Sequence, residues 1–521
     1  MIKATVILQM ITERLMETII IFSIFFQSVI CYGSGTYPES SIADMRELFY
    51  QKHLDPNESI QEVIKLIFQK YIEEDIINSE GDMHGENDGL VLITYENGQI
   101  WIEGYKRDGT PHGLHKVWHE NGQILFEGTY QDGELDGIVK TWYETGEVLI
   151  EGYYRKGQLH GLQKIWYENR QLKVEGNYTD GEYDGIMKTW YENGQLWIDA
   201  DYKNGQLHGV FRNWFENGQL KVEGNYTDGE YDGIIKTRYE NGQLWVEVFY
   251  TNGQLNGSQK EWFGNSQPKK EEYYQEGELN GLRKEWYEDG ELLFEGNYTN
   301  GDFNGLVKTW HENGQMSGKA NFTAGMVDGV IYNWYENGQL SSEKPYLNGK
   351  EQGITKTWYE NGQLWIDSDY NNGQLHGVFR NWFENGQLWV ESYYENDEMH
   401  GIIRNWNEDG QMVVESNFIN GKENGLYKSW YYSGQLWVEK NYVDDQLNGK
   451  IITWYENGQL RSDGDYKDGN ENGFYKEWYE NGQLKIKCEF KDGMEDGVWQ
   501  RYNEDGSIEK TENYKNGELV K

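Results

Sequence analysis

Residues 190–213 read WYENGQLWIDADYKNGQLHGVFRN, and this 24-residue repeat decides the fold. Steps of 24 residues from Trp190, taken as position 0, find Trp in 15 of 18 repeats, and Thr94, Arg238 and Tyr502 fill the other three. A glycine stands at position −5 in all 18 repeats. A fixed period of this length, without a net insertion from residue 89 onward, is the signature of a repeat architecture.

Each repeat contains two sequence features typical of turns. Glu192-Asn193-Gly194 follows an aromatic pair, which predicts a β-hairpin. The second feature, Asn204–Gly209, is longer and flanked by glycines. The glycine at position +15 is replaced only by Asp397 and Asp445, and Asp tolerates the left-handed backbone better than most residues, so we expect positive φ there. Strand-length runs separate the two turns, so each repeat is predicted to be one hairpin.

The predicted fold class is all-β. We expect an elongated, twisted antiparallel meander of about 18 tandem 24-residue β-hairpin repeats, or 36 strands, preceded by a short helical N-terminal cap. The glycines at position −5 are predicted to be structural turn residues, and the first six are Gly89, Gly113, Gly137, Gly161, Gly185 and Gly209.

The buried face depends on the first turn. A three-residue turn with a glycine bulge pairs Tyr191 with Gln195 and gives one apolar face. That face would contain Leu196, Ile198, Tyr202, Trp190 and Ile186. We favour this turn, although it places a Lys or Arg at position −2 on the same face in 14 repeats. The alternative, a two-residue Asn-Gly turn, divides the apolar set and pairs Lys188 with Asp199.

The N-terminus differs from the repeats. Thr18–Tyr32 is apolar but shorter than the ~20 residues needed to cross a bilayer, and its length suits a signal peptide. We therefore expect residues 1–33 to be a signal peptide, with an uncleaved membrane anchor or a buried helix as alternatives. The chain is accordingly expected to be secreted or held at the cell surface, and otherwise membrane-anchored.

Two stretches with helical spacing of apolar residues, Ile42–Gln51 and Ser59–Ile77, follow this segment. They predict a helical capping region over residues 34–88 that covers the first open edge of the sheet. Residues 89–521 then form the repeat array.

The charge of the chain restricts its partners. It has 47 Lys and Arg against 88 Asp and Glu, a formal net charge of −41. Nucleic acid and anionic lipid are polyanions that bind Lys and Arg clusters, so neither is expected as a direct partner beyond the N-terminal segment. A protein partner, in particular a basic one, is expected instead. Two cysteines, Cys31 and Cys488, are too few for a disulfide framework.

No group of residues has the features of an active site. Glu recurs at position +2 in 16 repeats and an acidic residue at position +9 in 15, so no carboxylate pair is singular. P-loop, nucleophile-elbow and metalloprotease motifs are absent from the sequence. We therefore expect a protein that is not an enzyme and has no catalytic residue and no cofactor.

Histidines are not expected to form a metal site. Five share position +18, where other repeats carry Asp, Asn or Gln, and this exchange is typical of turn residues that bond nearby backbone. They are His112, His160, His208, His376 and His400. His112, His115 and His119 are closer together, but they fall on a loop and a strand rather than converging.

A second Trp row occupies position +7. It contains Trp101, Trp197, Trp245, Trp365, Trp389 and Trp437. Other repeats carry Lys there, as at Lys173 and Lys221. A position that accepts Trp or Lys does not belong to a core, so these six residues are candidate anchors for a partner. The alternative is that each Trp stacks on its cross-strand neighbours.

The repeats resemble MORN repeats (membrane occupation and recognition nexus), in particular the variant class of YwqK-like antitoxin-type proteins. The residues that carry the resemblance are Tyr191–Leu196, Tyr202, Asn204-Gly205 and His208-Gly209, repeated over about 430 of the 521 residues. The resemblance implies a sheet of stacked hairpins that serves protein interaction or assembly. The antitoxin label implies a protein that neutralises a toxin.

These observations predict a non-enzymatic scaffold for protein–protein interaction, with an antitoxin or immunity-type protein that binds one toxin as the alternative.

One repeat is irregular. Its Gly264–Lys270 stretch, GNSQPKK, contains Pro268, which lacks a backbone N–H and is expected to kink the array or weaken pairing there.

Overall fold

The computed structural model describes residues 88–95 and 97–521. This part of the chain is all-β, and it contains no helix that could cross a membrane. The expected signal peptide or anchor over 1–33, and the expected helical cap over 34–88 apart from its last residue, lie outside the described residues. The chain divides into two compact units, one ending at Gly181 and the other spanning Glu182–Lys521.

The first compact unit contains eight strands, and each pairs antiparallel with the next along the chain. They are β1 Gly89–Thr94, β2 Ile100–Arg107, β3 Thr110–Trp118, β4 Ile124–Gln131, β5 Glu134–Trp142, β6 Val148–Arg155, β7 Gln158–Trp166 and β8 Leu172–Thr179.

The second compact unit begins with twenty strands that follow the same meander. They are β9 Glu182–Trp190, β10 Leu196–Lys203, β11 Gln206–Trp214, β12 Leu220–Thr227, β13 Glu230–Tyr231, β14 Gly233–Arg238, β15 Leu244–Thr251, β16 Gln254–Trp262, β17 Pro268–Gln275, β18 Glu278–Leu279, β19 Gly281–Trp286, β20 Leu292–Thr299, β21 Asp302–Phe303, β22 Gly305–Trp310, β23 Met316–Thr323, β24 Met326–Val327, β25 Gly329–Trp334, β26 Leu340–Leu347, β27 Lys350–Glu351 and β28 Gly353–Trp358.

The second compact unit continues in the same way to the C-terminus. Its remaining strands are β29 Leu364–Asn371, β30 Gln374–Trp382, β31 Leu388–Glu395, β32 Glu398–Met399, β33 Gly401–Trp406, β34 Met412–Ile419, β35 Lys422–Glu423, β36 Gly425–Trp430, β37 Leu436–Val443, β38 Gln446–Trp454, β39 Leu460–Lys467, β40 Asn470–Trp478, β41 Leu484–Lys491, β42 Met494–Tyr502, β43 Ile508–Lys515 and β44 Glu518–Leu519.

The described residues thus contain 44 strands rather than the expected 36, for a local reason. Seven strands are divided just before the glycine at position −5, as between β13 and β14, and β44 begins a further repeat after the last complete one. The 24-residue hairpin repeat predicted from the sequence is otherwise confirmed within each compact unit.

The first turn of the repeat is the three-residue turn with a glycine bulge, and Arg170 and Ser266, which replace the glycine in two repeats, have φ angles of 70° and 69°. The Tyr191 N–H donates to the carbonyl of Gln195 at 2.8 Å, and the Gly194 N–H donates to the carbonyl of Tyr191 at 2.9 Å. Gly194 has a φ of 86°. Trp190 pairs with Leu196, as the bulged turn predicts. We call the side of the sheet formed by these Glu-Asn-Gly turns the ENG edge.

The second turn is shorter than the sequence suggested. Lys203 pairs directly with Gln206, so only Asn204 and Gly205 form the turn. Their φ angles are 49° and 76°, as a type I′ hairpin turn requires. The Gly205 N–H also donates to the carbonyl of Tyr183 in the preceding repeat at 2.9 Å. We call this side of the sheet the NG edge.

Asp397 and Asp445, which replace glycine at position +15, have φ angles of 71° and 68°. The expected positive φ at this position is therefore confirmed.

Most of the glycines at position −5 lie within strands rather than in turns. In β5 this glycine, Gly137, lies in a β-bulge. Leu135 pairs with Tyr130 and Val139 pairs with Gly128, so the three residues 136–138 stand opposite the single residue Thr129. Gly161 and Gly209 occupy equivalent bulges, and Gly113 lies in a bulge opposite Gly104. Gly185 lies in β9, and Gly89 begins β1. All six have φ between 76° and 152°, which a side chain at this position would resist.

The predicted division of the two faces was wrong. The register shifts between Leu196 and Ile198, so Ile198 pairs with Thr189 and Asp199 pairs with Lys188. Ile186 is 51% exposed, and neither it nor Trp190 shares a face with the buried Ile198. The structure therefore combines the favoured turn with the Lys188–Asp199 pair of the alternative, because a second bulge follows the first turn.

The buried inner face is formed by positions −3, −1, +8, +10, +12 and +17. Its largest fully buried apolar side chains are Tyr130, Tyr154, Phe126, Ile102 and Leu159. Rings at positions +12 and +17 pack in series, with centroids 4.6 Å apart for Tyr226 and Tyr231 and 5.2 Å for Tyr231 and Tyr250. Tilted and stacked ring contacts of this kind add to the stabilisation from burial. The opposite, outer face contains positions −4, −2, 0, +6, +9 and +11.

Pro268 does not interrupt the pairing. It begins β17 opposite Trp262, and the residues that follow it keep the register of the other repeats. A proline is tolerated at the first residue of a strand because no ladder N–H is lost there.

Candidate interaction surface

The six Trp residues of position +7 all pack against the aromatic residue at position +1 of the same repeat, with angles of 28–48° between the ring planes. The ring centroids lie 5.2–5.9 Å apart, as for Trp197 on Tyr191 and Trp389 on Phe383. Trp437 is 45% exposed, and the other five are partly buried. The structure thus places these residues beside the ENG edge, each with one ring face already covered.

Lys and Arg at position +7 occupy the same place. The Lys173 Nζ lies 5.4 Å from the Tyr167 ring centroid, and Lys221 lies 5.4 Å from that of Phe215. Arg461 and Lys485 have equivalent contacts at 5.6 and 5.8 Å. An aromatic face attracts either a second ring or a cation, which explains why the position accepts Trp or Lys.

The turns of the ENG edge are bonded from one repeat to the next. The Tyr191 hydroxyl donates to the Trp214 carbonyl at 2.8 Å, and the Asn193 side-chain amide donates to the Glu216 carbonyl at 3.1 Å. These bonds fix the turn backbone and leave the Glu side chains outside it. In the described residues the exposed Glu side chains at position +2 are Glu120, Glu144, Glu168, Glu192, Glu216, Glu240, Glu288, Glu312, Glu336, Glu360, Glu384, Glu408, Glu456, Glu480 and Glu504.

The centre of the outer face is a ladder of ion pairs. Position +9 lies between the cations at position −2 of its own repeat and of the next. Glu295 is 3.4 Å from the Nζ of Lys284 and 3.2 Å from that of Lys308. Partial burial raises the pKa of Glu295, but the two lysines outweigh it, and the pKa is lowered. The ladder balances its own charge, unlike the ENG edge.

Sequence reasoning missed a row of exposed apolar side chains, because it assigned them to the core. Position −4 carries an apolar residue in 16 of 18 repeats, interrupted by Ser258 and Lys450. Fifteen of these residues are exposed: Leu90, Leu114, Ile138, Leu162, Ile186, Val210, Ile234, Leu282, Leu306, Ile354, Val378, Ile402, Leu426, Phe474 and Val498. We call position −4 of the outer face the aliphatic row. The Lys at position −2, two residues further on, was the signal that this strand face is not buried.

A shallow pocket of about 300 Å³ opens where Ser258 replaces an aliphatic residue. Its walls include Tyr273, which pairs with Ser258, and Leu282 of the next repeat. Glu271 and Lys284 of the ion-pair ladder border it. The pocket is therefore an interruption of the aliphatic row with apolar walls and a charged rim.

The inner face beneath this pocket contains a cluster of ion pairs. The Arg283 Nε lies 3.1 Å from Glu272 and donates to Glu285 at 2.7 Å, and Lys270 lies 3.1 Å from Glu272. The Glu272 side chain is 2% exposed. Burial raises the pKa of Glu285 despite the attraction of Arg283, because desolvation disfavours the carboxylate. Buried charges of this kind depend on their partners.

His112, His115 and His119 occupy three different parts of the sheet. His112 is at the NG edge, His115 is fully buried on the inner face, and the His119 side chain contacts the Trp142 carbonyl at 3.4 Å on the ENG edge. Burial lowers the pKa of His115. The described residues hold no group of three or more metal-ligating side chains. At position +18, the Asp228 N–H donates to His208 of the preceding repeat at 3.3 Å, which is the backbone bonding expected of a turn residue.

A family model described as MORN repeat variant matches the chain 16 times. The matched residues are 111–132, 135–156, 159–180, 183–204, 207–228, 231–252, 279–300, 303–324, 327–348, 351–372, 375–396, 399–420, 423–444, 447–468, 471–492 and 495–516. The matches skip residues 255–276, the repeat that contains Pro268 and half of the inner-face ion cluster. The irregular repeat is thus divergent in sequence while keeping the fold.

Solved structures give only remote similarity. Chains in the crystal structures of TcdB2-TccC3-Cdc42 and of TcdB2-TccC3-TEV are each 11% identical over 82% of this chain, with a TM-score of 0.13. A Tc holotoxin pore of Photorhabdus luminescens is 10% identical over 80% of this chain, with a TM-score of 0.11. This chain covers 28–30% of the length of those chains. No curated protein sequence matches the chain.

Proposed function

The chain belongs to the family of MORN repeat variants, and we propose that it is a non-enzymatic scaffold that binds a basic protein partner along its ENG edge. The observation that carries the proposal is the row of exposed Glu side chains beside partly exposed aromatic rings, which recurs in repeat after repeat. Multivalent contact of this kind gives affinity without a single deep pocket.

The chemistry of the ENG edge suits Lys and Arg side chains of a partner. Lys221 already lies over an aromatic ring at the position where other repeats carry Trp. A partner cation can contact the exposed part of such a Trp ring while its charge is compensated by the neighbouring Glu. The ion-pair ladder of the outer face, in contrast, already contains its own cations.

The proposed interaction is tested by pull-down of proteins from the organism of origin with the full chain, at low and at high salt. We expect capture of a basic protein at low salt and loss at high salt, because exposed charge pairs are screened. A variant with Glu336→Gln, Glu360→Gln and Glu384→Gln should lose this protein.

The matched control carries the same charge change on the NG edge, at Glu230→Gln, Glu278→Gln and Glu398→Gln. These side chains are also exposed, so the fold should tolerate both triple variants equally. Equal capture by the two variants would contradict binding through the ENG edge.

Two further proposals concern the location of the protein and an alternative role. Secretion or surface attachment rests on the apolar Thr18–Tyr32 run alone. An antitoxin or immunity-type role is the second functional hypothesis, and stoichiometry separates it from a scaffold. An antitoxin should bind one copy of one protein, whereas a repeated edge should bind a long partner or several copies.

A further inference from the structure

The aliphatic row is the outer-face feature that the proposed function does not use. In the second compact unit it includes Ile354, Val378 and Ile402 in three consecutive repeats, and all three are exposed. Nothing in the described residues covers them. Rows of exposed aliphatic side chains of this extent mark interaction surfaces in soluble proteins.

We propose that the aliphatic row binds an extended polyproline-II segment of a basic protein, with an apolar side chain at every third residue. The proposal rests on the interaction role above and assigns a second surface and a partner conformation to it.

The distance between successive side chains of the row matches the repeat distance of a polyproline-II segment. Each repeat contributes two strands at roughly 4.8 Å each, so successive members of the row are roughly 9.6 Å apart. A polyproline-II helix has three residues per turn with a rise of 3.1 Å, so every third side chain returns after roughly 9.3 Å. Over four repeats the two spacings diverge by only about 1 Å.

Other partner conformations fit less well. An α-helix with an apolar residue at every seventh position repeats at roughly 10.5 Å, so its side chains drift by about 3 Å over four repeats. Side chains on one face of a β-strand repeat at roughly 6.8 Å, which does not match the row. Strand addition also requires a free sheet edge, whereas the long sides of both compact units consist of turns.

The acidic charge of the chain favours a basic segment. Asp201 pairs with Ile186 and Asp369 pairs with Ile354, so a carboxylate lies beside the row in these two repeats, whereas Val378 pairs with Tyr393 and Ile402 with Asn417. A second copy of this chain is disfavoured as the occupant, because each copy carries a formal charge of −41. The pocket at Ser258 gives one larger side chain of the segment a place between Tyr273 and Leu282.

The probe is a synthetic peptide of eight Pro-Leu-Lys triplets, and its binding to the full chain is measured by fluorescence anisotropy. Its first control has the same composition in scrambled order, and its second is a Leu- and Lys-containing helical peptide with a seven-residue apolar period. We expect the triplet peptide to bind at least about tenfold more tightly than either control. Equal binding of the scrambled peptide, or tighter binding of the helical one, would overturn the proposal.

Variants locate the site. A chain with Ile354→Ser, Val378→Ser and Ile402→Ser copies the natural Ser258 and should lose binding at least about tenfold. The matched control makes the same aliphatic-to-Ser change at Leu347, Ile419 and Val443, which are exposed beside the NG-edge turns and outside the row, and it should bind as the parent does. Lys450→Ile fills a gap in the row at an exposed position, so it should fold normally and bind more tightly. Unchanged affinity in both row variants sinks the assignment.

The same variants separate this proposal from the proposed function. In one outcome, capture of the natural partner depends on the ENG-edge Glu residues but is unchanged in the triple Ser variant. That outcome would support the scaffold role and exclude the aliphatic row as part of the binding surface. Capture that is insensitive to both sets would remove the scaffold role as well.

Discussion

Asp397 and Leu375 exchange two hydrogen bonds across neighbouring repeats. The Asp397 N–H donates to the Leu375 carbonyl at 2.9 Å, and the Leu375 N–H donates to the Asp397 carboxylate at 2.8 Å. Asp445 accepts the equivalent bond from the Glu423 N–H at 2.7 Å. At these two positions, where other repeats have glycine, the carboxylate compensates for a positive φ by bonding the preceding repeat.

Replacing Asp397 should therefore separate backbone strain from the side-chain bond. Asp397→Ala keeps the positive φ and loses the acceptor, and we expect destabilisation of about 1–2 kcal/mol. Asp397→Gly relaxes the backbone, so its cost should be smaller. Hydrogen exchange of the Leu375 amide measures the effect locally. An unchanged exchange rate in both variants would show that the carboxylate bond contributes nothing.

Substitutions of Trp197 should follow the exchange seen among the repeats. Trp197→Lys keeps a favourable contact with the Tyr191 ring, as Lys173 does with Tyr167, whereas Trp197→Ala leaves that ring uncovered. We expect Ala to cost about 1 kcal/mol more than Lys in urea unfolding. A larger decrease in the free energy of unfolding with Lys than with Ala would indicate that Trp197 is held by apolar burial instead of ring stacking.

The repeat period, the hairpins and the positive φ at position +15 could be predicted from the sequence. Glycine recurs at fixed places, and its replacement by Asp397 or Asp445 follows backbone conformation alone, so the signal is local. The distribution of residues between the two faces could not be predicted in the same way. One additional residue between Leu196 and Ile198 reverses every side chain that follows, and a bulge has no residue requirement of its own.

The candidate surface was predictable only in part. The exchange of Trp and Lys at position +7 was visible in the sequence, but the aromatic residue at position +1, which contacts both side chains, was not recognised as their shared partner. The aliphatic row was not predicted, because the sequence pattern assigns Ile186 to the core of an alternating strand. Only Lys188, two residues further on, indicated that this side of the strand is the outer face. Neither pattern identifies a partner, because partner chemistry depends on a surface assembled from many repeats.

The inner-face ion cluster gives a direct comparison between buried and exposed charges. Arg283→Met removes one ion-pair partner of the buried Glu272 and the hydrogen-bond donor to the buried Glu285, and we expect the free energy of unfolding to fall by about 3 kcal/mol. Lys284→Met, the adjacent cation on the exposed ladder, should cost less than about 1 kcal/mol. Urea unfolding of both variants makes the comparison. Similar losses would mean that burial of the cluster has no energetic consequence.

The residues at positions +8 and +10 should be coupled. An added Cβ at Gly128 would lie 2.7 Å from the Phe126 ring, whereas Ile198 and Ala200 occupy the same positions together in a later repeat. Gly128→Ala and Phe126→Ile should each destabilise by about 1–3 kcal/mol. The double variant should cost at least about 1 kcal/mol less than the sum. Additive losses in urea unfolding would exclude a direct steric coupling.

The buried tyrosines should make the sheet sensitive to alkali. Burial, with a smaller effect of Tyr231, raises the pKa of Tyr250 to about 12, and burial also raises the pKa of Tyr298 and Tyr466 to about 12. In the unfolded chain a tyrosine ionises near about 10, so the folded state holds these protons more tightly. The resulting stabilisation is complete below about pH 10 and is lost as the pH rises toward 12.

Alkaline titration measures this by tyrosinate absorbance together with the circular dichroism of the sheet. We expect one fraction of tyrosines to ionise near about pH 10 and the rest only as the sheet signal disappears. Tyr250→Phe removes one ionising group from the inner face, so its sheet signal should persist to higher pH than that of the parent chain. Ionisation of every tyrosine near about pH 10 with the sheet intact would show that the inner face is open to solvent.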